Sequence, residues 1–398
     1  RRTHAPANAR THFDALEPRA MLDATFNGTD SDGDLYTVTL KGAGTIDVLT
    51  TGGGQLGSID ALTISGSDAA TKVSISVKRA GGGNGRVSLQ TLTASPLDSF
   101  AAPSVDVVDG SLAFERVASL VLGDVLGGGS ITDSSPDSLD QTAAFRRLST
   151  PGIGNLDVTF GGLVKKFTAV EWTGPGTLRA AGIGELKITG SRSLSSAGHF
   201  EAALSLSENA RGTPLLKKAT IAGDITRTWE IIGGAGSISV NNVQADADLN
   251  IDGPLGTLNV KGTLLGDVRA ITIGTINVKG AWSSEVSFTG ADVRGVGLGT
   301  FKVGQSPIGF LNSGMGDGRV GTLESAGDLT AEISVRPLTT LKVKGFANLG
   351  LVLSGQAGQP ALKSATIGGK ARGEWDLAGD LGSLSVGGMS SDFDLSLT

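Results

Sequence analysis

The sequence predicts an all-β chain wound as a right-handed parallel β-helix, a β-solenoid of roughly 15 coils preceded by a non-solenoid arm. Three observations carry this. A heptapeptide recurs: GTLNVKG at 256–262 returns as GTINVKG at 274–280, then, diverged, as GTFKVGQ, GTLESAG, TTLKVKG, KSATIGG and GSLSVGG. With GSISVNN in front, the copies begin at 236, 256, 274, 299, 321, 339, 363 and 382. A repeat this short cannot bury its own apolar face and must lay it on a neighbour. Within each copy apolar and polar residues alternate (Leu258 and Val260, Ile276 and Val278, Leu341 and Val343, Leu384 and Val386), the period of a strand. Each copy also closes on a glycine, Gly262, Gly280, Gly345 or Gly388, where a positive φ would turn the corner.

In chain order, residues 1–27 form the arm and 28–398 the solenoid. From 28 to 153 the coils are long: DALTISG at 60, LQTLTAS at 89, ASLVLGD at 118 and FRRLSTP at 145 recur 27 to 29 residues apart. From 154 to 235 they are irregular, and SRSLSSAGHFEAALSLSENARGTP, 191–214, reads as an insertion looping out. From 236 to 398 they tighten to about 21 residues, each with a second alternating run after its corner, such as LLGDVRA from 264 and LTAEISV from 329. Two-residue turns of the Asn-Gly kind are rare between these runs, so equivalent strands are expected to pair parallel, one coil on the next, with right-handed crossovers. A tandem pair of β-sandwiches is the alternative, and it gives no reason for a repeated heptapeptide. Fifteen rungs make a rod on the order of 70 Å long.

Composition narrows the functional classes. With 61 glycines, 12 prolines and 5% aromatic residues, the chain suits a corner-rich rod of small residues. No apolar run approaches the roughly 18 residues of a membrane-spanning helix. No cysteine is present, so disulfides and thiol chemistry are excluded. A net charge of −6 argues against a nucleic-acid partner for the chain as a whole.

Candidate chemical residues are few. Asp30, Asp32 and Asp34 in DSDGD have the alternation of a calcium loop, but Gly33 stands fourth and Lys41 twelfth, which excludes an EF-hand and leaves a turn before the strand LYTVTL as the simpler reading. Asp246, Asp248 and Asp252 read as a solvated face. GGGNGR at 81–86 imitates a calcium-binding nonapeptide, with Arg86 where the ligand would be. His199 reads as a surface residue of the insertion. Trp172 and Trp375, each after a glutamate, suggest either packing or a sugar platform. No catalytic residue, cofactor or metal ligand is assigned.

The arm has its own signature. FDALEPRAMLDA, 13–24, resembles the LEPRxLL motif near the amino terminus of large exported cell-surface proteins of planctomycete type, with Leu16, Glu17, Pro18, Arg19, Met21 and Leu22 at matching positions. Met21 stands where that motif usually has leucine, and Asp23-Ala24 where Ser-Ala is frequent. TDSDGDLYTVTLKGAGTIDVL from 29 also looks like the opening of such proteins. The resemblance implies export and an extracellular or cell-surface structural role, and it carries over no catalytic residue. The arm lacks the apolar core, roughly 7 to 15 residues, of a secretory leader. The start at Arg1 without methionine suggests that an upstream portion has been removed.

The expectation for function is therefore a structural subunit of an extracellular fibre or surface layer, a non-enzymatic homopolymer joined head to tail. The last coil, ending in SDFDLSLT, carries alternating Phe393, Leu395 and Leu397 and reads as an open edge, which Phe13, Leu16, Met21 and Leu22 of the next copy's arm would cover. Second comes a surface adhesin or carbohydrate-binding module with a cell-surface polysaccharide as partner, and third a polysaccharide-degrading enzyme.

Overall fold

A computed structural model of the chain describes residues 23–53, 56–135, 141–149, 155–207, 215–313, 318–355 and 358–398. It is a parallel β-solenoid of about 14 turns, close to the number expected. Among the described residues there is no α-helix; Arg192–Leu194 forms a single 3-10 turn.

Two long faces and a short third side make up each coil. On the first face, here face A, Phe100 lies over Leu120, then Ala143, Phe167, Leu186, Ala219, Ile238, Leu258, Ile276, Phe301, Leu323, Leu341, Ala365 and finally Leu384. Face B carries an equivalent row from Leu62 through Leu112, Leu178, Trp229, Val268, Ile333 and Trp375 to Leu395. The third side is reduced to single bridges that link Trp172, Phe200, Ile225, Val243, Leu264 and Trp282 in succession. One side chain per coil on each row is what the alternating pattern demands, because successive Cβ atoms point to opposite faces of a strand. Leu258, Val260, Ile276, Val278, Leu341 and Val343 are buried as expected, whereas Leu384 and Val386, on the last rung, are only half-buried.

Three sequence expectations change. The corner glycines Gly262, Gly280 and Gly345 do not adopt left-handed φ. They are required because a Cβ would collide with the coil below: with the Asn242 amide at Gly262, with the Gly262 carbonyl at Gly280, and with Asp328 at Gly345. Residues 191–214 do not loop out as a block. Phe200, Ala202, Leu204 and Leu206 are buried, and Ala203–Ser207 pairs parallel with strands on both sides; among the described residues of this stretch, the turn around Arg192–Leu194 has no buried residue. The alternation in EAALSLS was the signal for this strand.

The N-terminal rungs are not parallel. Ala24–Thr29 pairs antiparallel with Leu35–Lys41, which pairs antiparallel with Lys72–Lys78 before parallel stacking begins on Leu97–Ala102. Thr45–Thr50 likewise pairs antiparallel with Ile59–Ser65 on face B. The first strand thus starts at Ala24, inside the segment read as arm. Its hairpin turns on Asp32-Gly33, with Gly33 at φ 93°, the left-handed geometry that an Asp-Gly turn uses.

Candidate functional site

Among the described residues, the first and last rungs are the least covered parts of the rod. In an all-parallel stack every rung is covered on both sides except the first and last. The partly buried apolar residues against the core are accordingly Ala24, Phe26, Ile46, Val48 and Val77 at one end and Leu381, Leu384, Val386, Phe393 and Leu395 at the other. At the C-terminal end the whole of Leu381–Leu397 is an edge strand, paired on one side with Leu362–Ala378 and presenting free backbone N–H and C=O groups on the other. Met389 and Leu397 are each 56% exposed. At the N-terminal end the edges are Ala24–Thr29 on face A and Thr45–Thr50 on face B. Both ends therefore offer one edge on each of the same two faces. Of the residues assigned to assembly from sequence, Phe393, Leu395 and Leu397 sit on this open edge, and Phe13, Leu16, Met21 and Leu22 lie outside the described residues.

The aspartate turn lies at the N-terminal end. The carboxylate oxygens of Asp30, Asp32 and Asp34 come within 4.8 Å of one another. Asp34 is fully buried, and its Oδ1 accepts the Ala80 N–H at 2.7 Å while Oδ2 accepts that of Gly85. Asp32 Oδ2 accepts the Asn84 N–H at 3.0 Å, and Asp30 Oδ1 accepts those of Asp32 and Asp34 at 3.1 and 2.8 Å. The two motifs noted separately in the sequence, DSDGD and GGGNGR, are thus one structure: Asp32 and Asp34 gather the amides of a glycine loop some fifty residues away, and Asp30 closes their own turn. Burial, and then the Asp32 side chain, raises the Asp30 carboxyl above its ordinary value, and the hydrogen bond to Asp30 lowers Asp32. The two neighbouring carboxyls are thus moved in opposite directions. Three oxygen ligands could accept a hard cation, but the two Asp34 oxygens and one of Asp32 already point at backbone N–H groups, so the geometry describes a loop clamp.

Arg86, beside this loop, forks onto Asp106, with its Nε donating at 2.7 Å, and lies 3.7 Å from Asp124 two coils further on. Elsewhere corner carboxylates bind the next coil: Asp248 accepts the Asp267 N–H at 3.1 Å, Asp267 that of Glu285 at 2.9 Å, and Asp328 that of Phe346 at 2.7 Å. Asp224 collects the side-chain amides of Asn241, Asn242 and Gln244 at 3.0, 2.7 and 2.9 Å. His199 is part of this corner rather than free on the surface, its Nδ1 accepting the Asp224 N–H at 3.2 Å.

All four tryptophans, Trp172, Trp229, Trp282 and Trp375, are completely buried, which removes the sugar platform. They pack on phenylalanines, as in Trp282 against Phe301 with centroids 4.6 Å apart and Trp375 against Phe393 at 5.3 Å. Gly309 leaves the space that the Trp282 ring fills. Phe310 is the one aromatic ring among the exposed large apolar side chains of the described residues. No protein family, curated protein or solved structure matches this chain.

Proposed function

We propose that this chain is a structural subunit of an extracellular fibre or cell-surface layer, and that its rods join head to tail. The observation that supports this is that the first and last rungs among the described residues are both half-covered and lie on the same two faces. Leu381–Leu397 exposes edges on faces A and B, and Ala24–Thr29 with Thr45–Thr50 exposes edges on the same faces. Stacked end to end, the half-buried Leu384, Val386, Phe393 and Leu395 of one copy meet Ala24, Phe26, Ile46 and Val48 of the next. Strand addition supplies main-chain hydrogen bonds, and the apolar rows continue across the junction. The two surfaces differ, so the contact is heterologous and grows into an open filament. The segment before Asp23, with Phe13, Leu16, Met21 and Leu22, adds apolar surface to the junction.

Electron microscopy and light scattering test this. Full-length protein gives filaments one rod wide, and the double variant Val386→Asp, Leu395→Asp gives single rods of monomer mass. A wild-type chain that stays monomeric at high concentration overturns the proposal. Filaments that form equally well without residues 1–22 remove the arm from it.

A further inference from the structure

The winding sorts the charges. On face A, the strands at 163–169, 182–188, 216–221, 235–240, 255–260, 273–278, 298–303, 319–325, 338–343, 362–367 and 381–386 carry nine lysine and arginine side chains against two glutamates. On face B, the strands at 156–160, 176–180, 203–207, 229–232, 249–252, 268–270, 285–288, 310–312, 329–335, 347–354, 371–378 and 389–397 carry nine carboxylates against three arginines and no lysine. A chain of net charge −6 thus presents a face of about +7 and a face of −6. Within face A both glutamates stand in register between lysines, Glu185 between Lys166 and Lys218 and Glu324 between Lys302 and Lys342, so the positive surplus is carried by cations with no carboxylate in register, such as Lys187 between Thr168 and Thr220. On face B Glu374 and Asp394 stand directly side by side, and like-charged neighbours repel unless a partner of opposite sign covers them. Between the charged rungs the surface is kept low by hydroxyl residues, with Thr257, Thr275 and Thr300 stacked in register.

We infer that face A of one copy docks laterally on face B of another, so that rods associate side by side by charge complementarity. The two faces share one repeat, the strand spacing, so charged rungs of two rods meet at multiples of that spacing, with the uncharged rungs at 235–240, 255–260 and 273–278 leaving a gap in face A. The area suffices: strands about 17 Å long over eleven rungs of about 4.8 Å give roughly 850 Å² per partner, against about 800 Å² in a standard specific interface. The contact is independent of the end junction. Strand addition buries backbone and apolar groups and is insensitive to salt, whereas a contact between exposed charges is screened once the Debye length falls to about 3 Å near 1 M salt.

The test is sedimentation of the full-length protein across ionic strength, with Val386→Asp, Leu395→Asp present so that end joining is blocked. At about 20 mM salt the lateral contact gives species heavier than the monomer, and these dissolve into monomers at about 1 M. Reversing face A with Lys302→Glu, Lys342→Glu and Lys363→Glu abolishes the low-salt species, and so does reversing face B with Glu332→Lys, Glu374→Lys and Asp376→Lys. Mixing the two reversed proteins restores association, a rescue that misfolded variants would not give. Three results overturn the inference: a monomer at low salt, association unchanged by either reversal, or an end-blocked protein that stays monomeric while binding polygalacturonate, in which case the basic face serves an anionic polymer.

Discussion

The first and last rungs of this solenoid face the same problem and treat it differently. At the C-terminal end the chain keeps its parallel course to the edge, and Leu381–Leu397 is shaped like every rung beneath it. At the N-terminal end the strands reverse: Ala24–Thr29 and Leu35–Lys41 form a hairpin, and an aspartate turn ties its loop to residues 80–85. A parallel end accepts another coil without altering its own backbone. A hairpin end is held by local turns and a clamp, so its rung is complete before anything is added. Yet among the described residues both leave apolar rows half-covered.

The largest expected effect separates interior from end. Val278 and Val386 occupy the same inner row five rungs apart, the first 1% exposed and the second half-buried. Val278→Asp buries a carboxylate without a partner and should destabilise by several kcal/mol, whereas Val386→Asp should change the melting temperature little while blocking end joining. Circular dichroism melts of both decide it, and equal losses would mean that the last rung is as closed as the interior.

Next in size is Gly28→Ala in the hairpin, where an added Cβ runs into the buried ring of Tyr36, whose Oη donates to the Gly57 carbonyl at 3.2 Å. Overpacking of this kind should cost about 1 to 3 kcal/mol, and a neutral result would show the hairpin to be loosely seated. Asp34→Ala removes the acceptor of two loop amides and should cost about 1 to 3 kcal/mol, with new proteolytic cleavage between Gly81 and Arg86. Chelator should leave the wild-type melt in place. A fall of more than about 5 °C, in the range of a kcal/mol or more, would turn the clamp into a cation site.

Asp30→Asn has the smallest expected effect. The Asp30 carboxyl is raised, so the folded chain holds that proton more tightly than the unfolded chain, and the stability it contributes is full below the ordinary carboxylate pKa and lost as pH rises through the folded value. Asp32 is lowered and works in the opposite sense. An amide at position 30 fixes the neutral form. It should raise the melting temperature at pH 7 by about 1 to 2 °C, a gain that closes below about pH 4, where Asp30 is protonated anyway. A variant less stable than wild type at pH 7 would contradict the raised Asp30 carboxyl.

The inward rows were legible because period two and a repeated heptapeptide report local geometry directly. The same parity placed Trp375 with Leu377 in the core, although tryptophan beside glutamate also suggested a sugar site. Reversal of the first strands was less legible, but not silent: Asp32-Gly33 between alternating runs is a hairpin signal that the dominant parallel repeat overshadowed. The strand at Ala203–Ser207 was hidden for a similar reason, inside a polar stretch whose length suggested an insertion.

By itself, then, the sequence determined the rod: alternation sets which side chains go in, and a repeat too short to bury its own face forces one coil onto the next. Tertiary structure alone decided what depends on distant segments meeting. DSDGD and GGGNGR become one clamp only when the hairpin folds back over the loop, and the glycine corners are needed because of the coil below rather than for their own φ. Lysines and carboxylates alternate along the chain and largely cancel in its composition. Winding sends most of the strands that carry lysine to one face and most of those that carry carboxylates to another, and stacking sums them into two faces of opposite net sign.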